Sequence, residues 1–505
     1  MFNRRTKGWS AAFALIALAG CSDEDEDKGR SGSDAGTGDG SVSSGGTGAS
    51  AGTGASAGTG GQAGNAGAAA GGSTGATGGS AGSAAGGSAG SATGGSGGTA
   101  TGGTAGSSTG GTATGGTATG GTGGTVTAVP AYQYSVGKRV LSHHGGTWYN
   151  LRYEGDTNRR VFLWSSSNGV DWSNKVRVDD AAAGDAERGA LLTWLDNGTP
   201  RVGVYWMLRG TTPQEARFSS SSDQGASFAS SATVTADAEN AQMNGDVARG
   251  DDGSLWAAWT RRVNGSHDGV FYSRSTDDGA TWSTTALAGD SGAFGWSHSI
   301  AAGFTGEAWI AVAHNDGQLT VFRTATAGSS WQMATAAAGV SGAQTSHPVL
   351  RRATNGELLL TYAKRSASDQ QTDVFFTRSG DSGATWSPPV RVNDDVTTGT
   401  SVNTDYYPSL AEGGSGRLYV VWTDDRRGPS AAQGAGNHDA YLSYSVDGGA
   451  TWSTDSLAND FPEEIFQRQA AVAVAPGTSQ DTVVVSWVDN RSGTYQVHSN
   501  SRALP

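Results

Sequence analysis

Polar and aromatic side chains recur at one position of this sequence, directly before short apolar segments that are typical of β-strands. They are Arg188, Asn244, Ser297-His298, His347, Tyr407 and Arg468-Gln469. Guanidinium groups gathered with aromatic rings at one site would bind a carboxylate or an acidic sugar through charge-assisted hydrogen bonds. Imidazole and phenol groups can also remove a proton as a general base. The alternative is structural, with these residues joining neighbouring repeats.

A second set of charged residues follows the next apolar segment of each repeat. It comprises Arg261-Arg262, Lys364-Arg365, Asp424-Asp425-Arg426 and Asp489-Asn490-Arg491. Arg426 and Arg491 join the candidate ligand-binding residues for the same electrostatic reason. However, Trp-x-Asp-x-Arg occurs twice, and residues that recur with a repeat commonly serve the repeat itself. For this pair we favour a structural bridge between adjacent repeats.

Several other kinds of chemistry are excluded. The net charge of −13 is opposite to what a nucleic-acid partner requires. The single cysteine, Cys21, rules out an intrachain disulfide and a cysteine-based zinc site. Gly380–Gly383 resembles the nucleophile motif of trypsin-like proteases but lies inside a repeated turn. No zinc-protease helix or phosphate-binding loop is found, and the acidic segment 393–395 lacks calcium-loop spacing, so we expect neither metal nor cofactor.

One turn motif recurs along the second part of the chain: Ser or Thr, any residue, Asp, any residue, Gly, two residues, then Trp or Phe. It is complete at Ser275–Trp282, Ser379–Trp386, Ser445–Trp452 and Ser221–Phe228. Two copies lack the Asp, one with Ser165, Ser167, Gly169 and Trp172, the other with Thr324, Thr326, Gly328 and Trp331. The polar oxygens would bind N–H groups of the turn, and the aromatic ring would pack between sheets.

Structural roles are therefore predicted for the recurring aspartates and tryptophans of this motif. They are Asp223, Asp277, Asp381, Asp447, Trp172, Trp282, Trp331, Trp386 and Trp452.

The spacing of the motif is about 54 residues, and each unit contains four strand-like segments. This length suits one four-stranded antiparallel blade of a β-propeller. Three strand-like segments follow the last motif, so a seventh blade would lack its outer strand. The segment Val126–Ser135 could supply that strand and close the ring. We predict an all-β propeller with seven blades, with six as the alternative.

The motif is similar to the Asp box, or BNR repeat, of sialidase-like propellers. The resemblance covers residue 126 to the end of the chain and implies that the boxes lie opposite the ligand face. A sialidase also needs three arginines, a Tyr–Glu pair and an Asp. The resemblance makes Arg139 the match for the first arginine, although the proline of the family's Phe/Tyr-Arg-Ile-Pro signature is missing. Tyr406 or Tyr407 with Glu463 or Glu464 would be the Tyr–Glu pair, but no spacing fixes it, and no catalytic residue is assigned.

Three functions remain open. The resemblance implies a glycan-binding propeller, which as an enzyme would be a glycoside hydrolase of the exo-α-sialidase type. A non-catalytic module that recognises protein or polysaccharide is the second. A polysaccharide lyase is the third, with His298, His347 or Tyr407 to be tested as the base. The missing signature favours binding without catalysis.

The first 20 residues have the pattern of an export signal. Arg4, Arg5 and Lys7 precede the apolar segment Trp9–Ala19, which is too short to span a bilayer.

The sequence that ends this signal, Leu18-Ala19-Gly20-Cys21, resembles the lipobox of bacterial lipoproteins. The resemblance implies cleavage before Cys21, lipid attachment to its sulfur and membrane anchoring, and Ser22 implies sorting to the outer membrane. Residues 21–125 are almost wholly Gly, Ser, Thr and Ala after a short acidic run. They cannot bury apolar area, so we predict a disordered linker that carries the propeller, residues 126–505, away from the membrane.

Overall fold

The computed structural model describes thirteen segments of the chain. They are residues 131–132, 139–155, 158–210, 214–237, 242–263, 266–289, 294–314, 316–339, 343–368, 371–395, 405–426, 438–460 and 467–505. The predicted signal peptide, Cys21 and the linker lie outside these segments. Within them, no helix is long and apolar enough to cross a membrane.

The described residues form seven antiparallel sheets, which are the seven blades of a propeller. Blade 1 contains β1 (Ala131–Tyr132), β2 (Leu141–His144), β3 (Thr147–Glu154), β4 (Arg160–Ser166) and β5 (Asn174–Arg177). Blade 2 contains β6 (Asp185–Asp196), β7 (Thr199–Arg209), β8 (Gln214–Ser221) and β9 (Ala232–Asp237). Blade 3 contains β10 (Gln242–Arg249), β11 (Leu255–Val263), β12 (Ser266–Ser275) and β13 (Ala286–Gly289).

The remaining blades continue the same order along the chain. Blade 4 contains β14 (Phe294–Ala302), β15 (Ala308–His314), β16 (Leu319–Thr324) and β17 (Gln332–Ala337). Blade 5 contains β18 (Gln344–Arg352), β19 (Leu358–Arg365), β20 (Thr372–Ser379) and β21 (Val390–Arg391). Blade 6 contains β22 (Asp405–Glu412), β23 (Leu418–Asp424), β24 (Asp439–Ser445) and β25 (Ser456–Leu457). Blade 7 contains β26 (Arg468–Ala475), β27 (Asp481–Asp489) and β28 (Gln496–Leu504).

Burial explains the apolar runs of the sequence. Every side chain of β15 is buried, because both of its faces are covered by neighbouring sheets. The outer strand β5 is mostly exposed and accordingly polar. Each main apolar cluster joins adjacent blades, and one of them connects blade 7 to blades 1 and 2. The ring is therefore closed by hydrophobic packing, and the predicted count of seven is confirmed.

The predicted closure by an outer strand of blade 7 is wrong for the part of that segment which the structure describes. Ala131–Tyr132 pairs with β3, on the same edge as β2, so it extends the inner strand of blade 1. It also touches blade 7, where the Ala131 N–H donates a hydrogen bond to the Tyr495 carbonyl at 2.9 Å. The sequence could not distinguish pairing with the outer edge of blade 7 from pairing with β3 of blade 1, since both place the segment beside blade 7.

The Asp box is a turn closed by hydrogen bonds from its own side chains. In blade 3, the Ser275 hydroxyl accepts a hydrogen bond from the Gly279 N–H at 3.0 Å and donates to Asp277 at 2.7 Å. Gly279 has φ +87°, and a Cβ there would lie 2.3 Å from ring atoms of Phe218 in blade 2. The Trp282 ring packs edge-on against the same phenylalanine, 5.5 Å between centroids. Each box thus holds its blade against the previous one.

The first box differs from its predicted assignment by one residue. Ser166, rather than Ser165, accepts the hydrogen bond from the Gly169 N–H, at 2.9 Å. Asn168, rather than Ser167, supplies the second side-chain oxygen, which accepts from the N–H groups of residues 170 and 171. An amide oxygen replaces the missing carboxylate here, and the shorter turn shifts the serine by one position.

The strand registers define two ends of the central channel. Arg249 at the end of β10 pairs with Leu255, and Leu255 pairs with Ser275 at the start of an Asp box. We call this end the box face. The opposite end, where the inner strands begin and the second strands finish, is called the bulge face for a feature of these strands described below.

Candidate functional site

The inner strands share an irregularity near the bulge face. Five of the described inner strands shift register there. In four of them the residue at the shift adopts a left-handed backbone: Arg188 (φ 53°), His347 (φ 52°), Tyr407 (φ 55°) and Gln469 (φ 56°). Residues with a Cβ are strained in this conformation, and β-bulges re-aim side chains. Strain of this kind is concentrated at ligand-binding and catalytic sites of proteins.

Two of these residues meet across neighbouring blades. The rings of His347 (blade 5) and Tyr407 (blade 6) have centroids 4.5 Å apart and planes inclined by 59°. Both residues are half-buried, so each keeps part of its surface exposed. The structure therefore brings together two of the residues that the sequence pattern selected.

His298, in blade 4, has a more buried setting. Its ring is 2 % exposed, and Nε2 lies 3.0 Å from the Ala258 carbonyl of blade 3. The register of its strand also shifts, between Phe294 and His298. This contact fits the structural alternative, in which the residue joins two blades.

Arg188 belongs to a charged cluster around the buried carboxylate of Glu187. Arg159 Nη1 and Arg209 Nη1 each lie 2.5 Å from a Glu187 oxygen, and Arg188 Nε lies 3.5 Å away. Burial alone would raise the pKa of Glu187, but the charges of Arg209, Arg188 and Arg159 hold it below its ordinary value. Asp185 accepts the Arg159 N–H at 2.7 Å. Three guanidinium groups thus surround the carboxylate of Glu187, while Asp185 binds the backbone N–H of Arg159.

Arg139, the residue that the resemblance matches to the first arginine of a sialidase, lies inside the channel. It extends from blade 1 to the opposite side of the channel, where Nη1 donates to the Val247 carbonyl at 2.9 Å and Nη2 to the Ile300 carbonyl at 3.3 Å. Its guanidinium is also 3.9 Å from the fully buried Asp246. Among the described ion pairs, Arg139 is matched with Asp246 and not with Glu187, so it does not belong to the arginine cluster around Glu187.

Arg426 is held by carboxylates of two blades. Its Nε donates to Asp424 at 2.7 Å and Nη2 to Asp455 at 2.8 Å, while Asp394 and Asp395 of blade 5 lie 3.9 Å away.

Arg491 has a matching arrangement between blades 7 and 6. Its Nε donates to Asp489 at 2.9 Å and its Nη2 to Asp460 at 2.9 Å. In each motif the Trp N–H also donates to the Asp, at 3.1 Å for Trp422 and 3.0 Å for Trp487. Both arrangements agree with the structural interpretation favoured for this motif.

Two candidates are described only by their backbones. Asn244 pairs with Thr260 in β10, and Arg468 pairs with Val488 in β26, so both lie near the bulge face. Their side chains, together with Glu463 and Glu464, lie outside what the structure describes, and their assignment stays a prediction.

Sequence reasoning missed the cluster around Glu187. Its signal was the segment Asp185–Arg188, which carries three charges at the start of an otherwise apolar strand. Arg159 and Arg209 could not be found in this way, because they come from two other strand ends that only the fold brings together.

Comparison with known proteins agrees with this architecture. Residues 298–492 match the sequence model of a BNR repeat-containing family member. The matched part extends from blade 4 into blade 7 of the seven-bladed propeller. A search among curated proteins gives no significant sequence match to this BNR-repeat propeller.

Several solved structures resemble the BNR-repeat propeller in fold. A protein of unknown function from Dyadobacter fermentans is 12% identical with a TM-score of 0.45, covering 67% of this chain and 100% of its own. A Hadza microbial sialidase is 15% identical with a TM-score of 0.38, covering 67% and 73%. An ulvan lyase is 11% identical with a TM-score of 0.44, covering 72% and 91%. At these identities the similarity is one of fold.

Proposed function

We propose that this propeller binds an acidic polysaccharide on its bulge face, across the mouth of the channel. One observation carries the proposal. Four blades hold a polar or aromatic residue in a strained backbone at the same level of the inner strand. Glycine would relieve the strain at each position. The presence there of Arg188, His347 and Tyr407, which are only partly buried, supports a ligand that these side chains contact.

The chemistry of these side chains favours a sugar. Half-buried aromatic rings such as those of His347 and Tyr407 offer flat surfaces with polar edges, which suit the faces and hydroxyl groups of a pyranose. The three guanidinium groups around Glu187 favour an acidic sugar over a neutral one, because guanidinium groups bind carboxylates and sulfates strongly.

Binding of polysaccharides to the full-length chain tests this proposal. Affinity electrophoresis with uronic-acid polysaccharides and a neutral glucan should show retardation by the acidic polymers. Tyr407→Ala and Arg188→Gly should weaken retardation about tenfold, since each removes a ligand contact. Met333→Ala, at a 63 % exposed position in an outer strand, serves as the control and should bind normally. Equal retardation of the Tyr407 and Met333 variants would contradict the proposal.

A lyase activity on the same polysaccharide is the second candidate, favoured by the contact between His347 and Tyr407. One of the two would remove the proton at C5 of a uronic acid. The electron pair would form the C4–C5 double bond as the C4–oxygen bond breaks, and the leaving oxygen would take up a proton. The ultraviolet absorbance of the unsaturated sugar measures this reaction. Tyr407→Phe, which keeps the ring, should abolish it, and an acidic polymer that binds without any rise in absorbance would leave a binding protein.

The arrangement around Glu187 argues against a sialidase-type site there. A substrate carboxylate would have to compete with the protein's own carboxylate for Arg159 and Arg209. Release of sialic acid from a sialoside by the full-length chain would overturn this view.

We also propose that the chain is exported and anchored to a membrane through Cys21. The sequence motif around Cys21 supports this, since one lipid-modified cysteine carrying several acyl chains anchors a protein stably. Metabolic labelling with a fatty acid in a bacterial host should mark the wild-type chain. Cys21→Ala should remove the label, and a labelled variant would refute the assignment.

A further inference from the structure

A cavity of about 340 Å³ occupies the part of the channel next to the box face. The inner strands of six blades line it, and Arg139 bounds it on the side toward the bulge face. Its volume is at the lower end of the range for small-ligand sites. The aliphatic side chains of the inner strands surround a group of arginines within it.

Four arginines line this cavity: Arg139, Arg249, Arg351 and Arg352. The carboxylate among the described lining residues is Glu412, which accepts hydrogen bonds from the Thr354 N–H and hydroxyl at 2.8 Å each. The wall of the cavity is therefore strongly cationic in a chain whose net charge is −13.

Arg351 is the least neutralised of these groups. Its Nη1 donates a hydrogen bond to the carbonyl of its neighbour Leu350 at 2.9 Å, and no described carboxylate lies within 4.0 Å of its guanidinium. Burial and the nearby charge of Arg139 lower the pKa of Arg351 well below its ordinary value, and the charge of Asp246 offsets only part of this shift. A buried charge without a partner is costly for stability.

Arg249 also has an N–H donor without an acceptor among the described atoms. Its guanidinium carbon lies 5.2 Å from the centroid of the Trp194 ring, and its buried Nε has no hydrogen-bond partner among the described atoms. Arg352, in contrast, is paired with Asp251 at 2.6 Å.

His143 adds no charge to the wall. Burial, with the neighbouring His144, lowers the pKa of this imidazole, which keeps it neutral at physiological pH.

We propose that this cavity is a second binding site, which takes a small oxyanion between Arg351 and Arg249. The guanidinium fork of arginine matches the paired oxygens of a carboxylate, a sulfate or a phosphate. An anion there would supply the partner that Arg351 lacks and the acceptor that Arg249 lacks. Because Arg139 lies between the cavity and the bulge face, this site is separate from the proposed polysaccharide site.

Equilibrium dialysis of the full-length chain with radiolabelled sulfate tests the site, at constant ionic strength set with sodium chloride. We expect one saturable site per chain. Unlabelled phosphate and glucuronate should compete for it, because all three share the oxyanion that the arginines recognise. The dissociation constant should rise about tenfold or more in Arg351→Gln and in Arg249→Gln, since each removes charge-assisted hydrogen bonds.

Arg378→Gln is the matched control, because this arginine lies in β20 of the same blade as Arg351, is 40% exposed and does not line the cavity. Its sulfate affinity should stay within about twofold of the wild type. Because Arg351 and Arg249 come from different blades, a local folding defect in one variant would not explain weaker sulfate binding in both. Absence of saturable sulfate binding, or affinity unchanged in both variants, would overturn the proposal. His347→Ala should retain sulfate binding, so failure of the polysaccharide proposal would be recognised separately.

Discussion

Substitution of Gly279 tests how tightly the Asp boxes hold adjacent blades. In Gly279→Ala, the new Cβ would lie 2.3 Å from Cδ1 and Cε1 of Phe218 and 3.3 Å from Cδ1 of Leu255. Phe218 cannot turn away freely, because it is 1 % exposed and packs on Trp282. Overpacking a core by a methyl group costs about 1–3 kcal/mol. The left-handed backbone adds about 1–2 kcal/mol for a residue with a Cβ.

Gly198→Ala is the control that separates these two costs. Gly198 has φ +81°, close to that of Gly279, but nothing lies within 4 Å of its Cβ position. It should therefore lose the conformational cost alone, about 1–2 kcal/mol. The difference between the two variants isolates the clash with Phe218.

Urea unfolding followed by circular dichroism measures this difference. We expect Gly279→Ala to lower the free energy of unfolding by about 2–5 kcal/mol, with an unchanged dependence on urea. Adding Phe218→Leu should cost less in the Gly279→Ala background than in the wild type, because the smaller side chain makes room for the methyl group. Equal destabilisation by the two glycine substitutions would refute the argument that the box locks blade against blade.

Three further changes probe the scaffold. Burial raises the pKa of Asp455 to about 7, so the folded state holds a proton that the unfolded state releases. The free energy of unfolding should therefore fall as pH rises from about 4 to 7. Asp455→Asn should remove up to about 1.4 kcal/mol per pH unit of that slope in urea titrations at different pH values. Asp481→Ala should cost about 3–5 kcal/mol by leaving buried Arg417 unpaired, and adding Arg417→Met should recover much of that loss in the same assay. Ser379→Ala should cost about 1–3 kcal/mol in thermal unfolding because the Gly383 N–H loses its acceptor, and an unchanged midpoint would mean that water replaces the hydroxyl.

The fold could be predicted because the signal is local and repeated. Each Asp box carries its own hydrogen-bond pattern within eight residues, and box spacing fixed the length of a blade. Where one box lost its Asp, Ser166 and Asn168 replaced the expected Ser165 and Ser167, a shift that only the backbone geometry reveals. The partner of Ala131–Tyr132 was missed for a different reason, because strand pairing depends on tertiary contacts.

The candidate sites could be predicted only in part. His347 and Tyr407 were found since both occupy the same position of their repeats, and position within a repeat determines position around the ring. Arg351 was not found, because an arginine near the end of a strand has the usual appearance of a surface charge. Lining up the ends of the inner strands would have shown Arg249 and Arg352 in equivalent places beside it.

The side chain of Arg139 determines whether a ligand can pass along the channel from one face to the other. By donating hydrogen bonds to blades 3 and 4 from blade 1, it bars the axis of the ring. A polymer therefore cannot be threaded through the propeller and must rest on one side of it. A ligand that enters at one end must leave by that end, so the rates of binding and release at the two ends would be independent of each other.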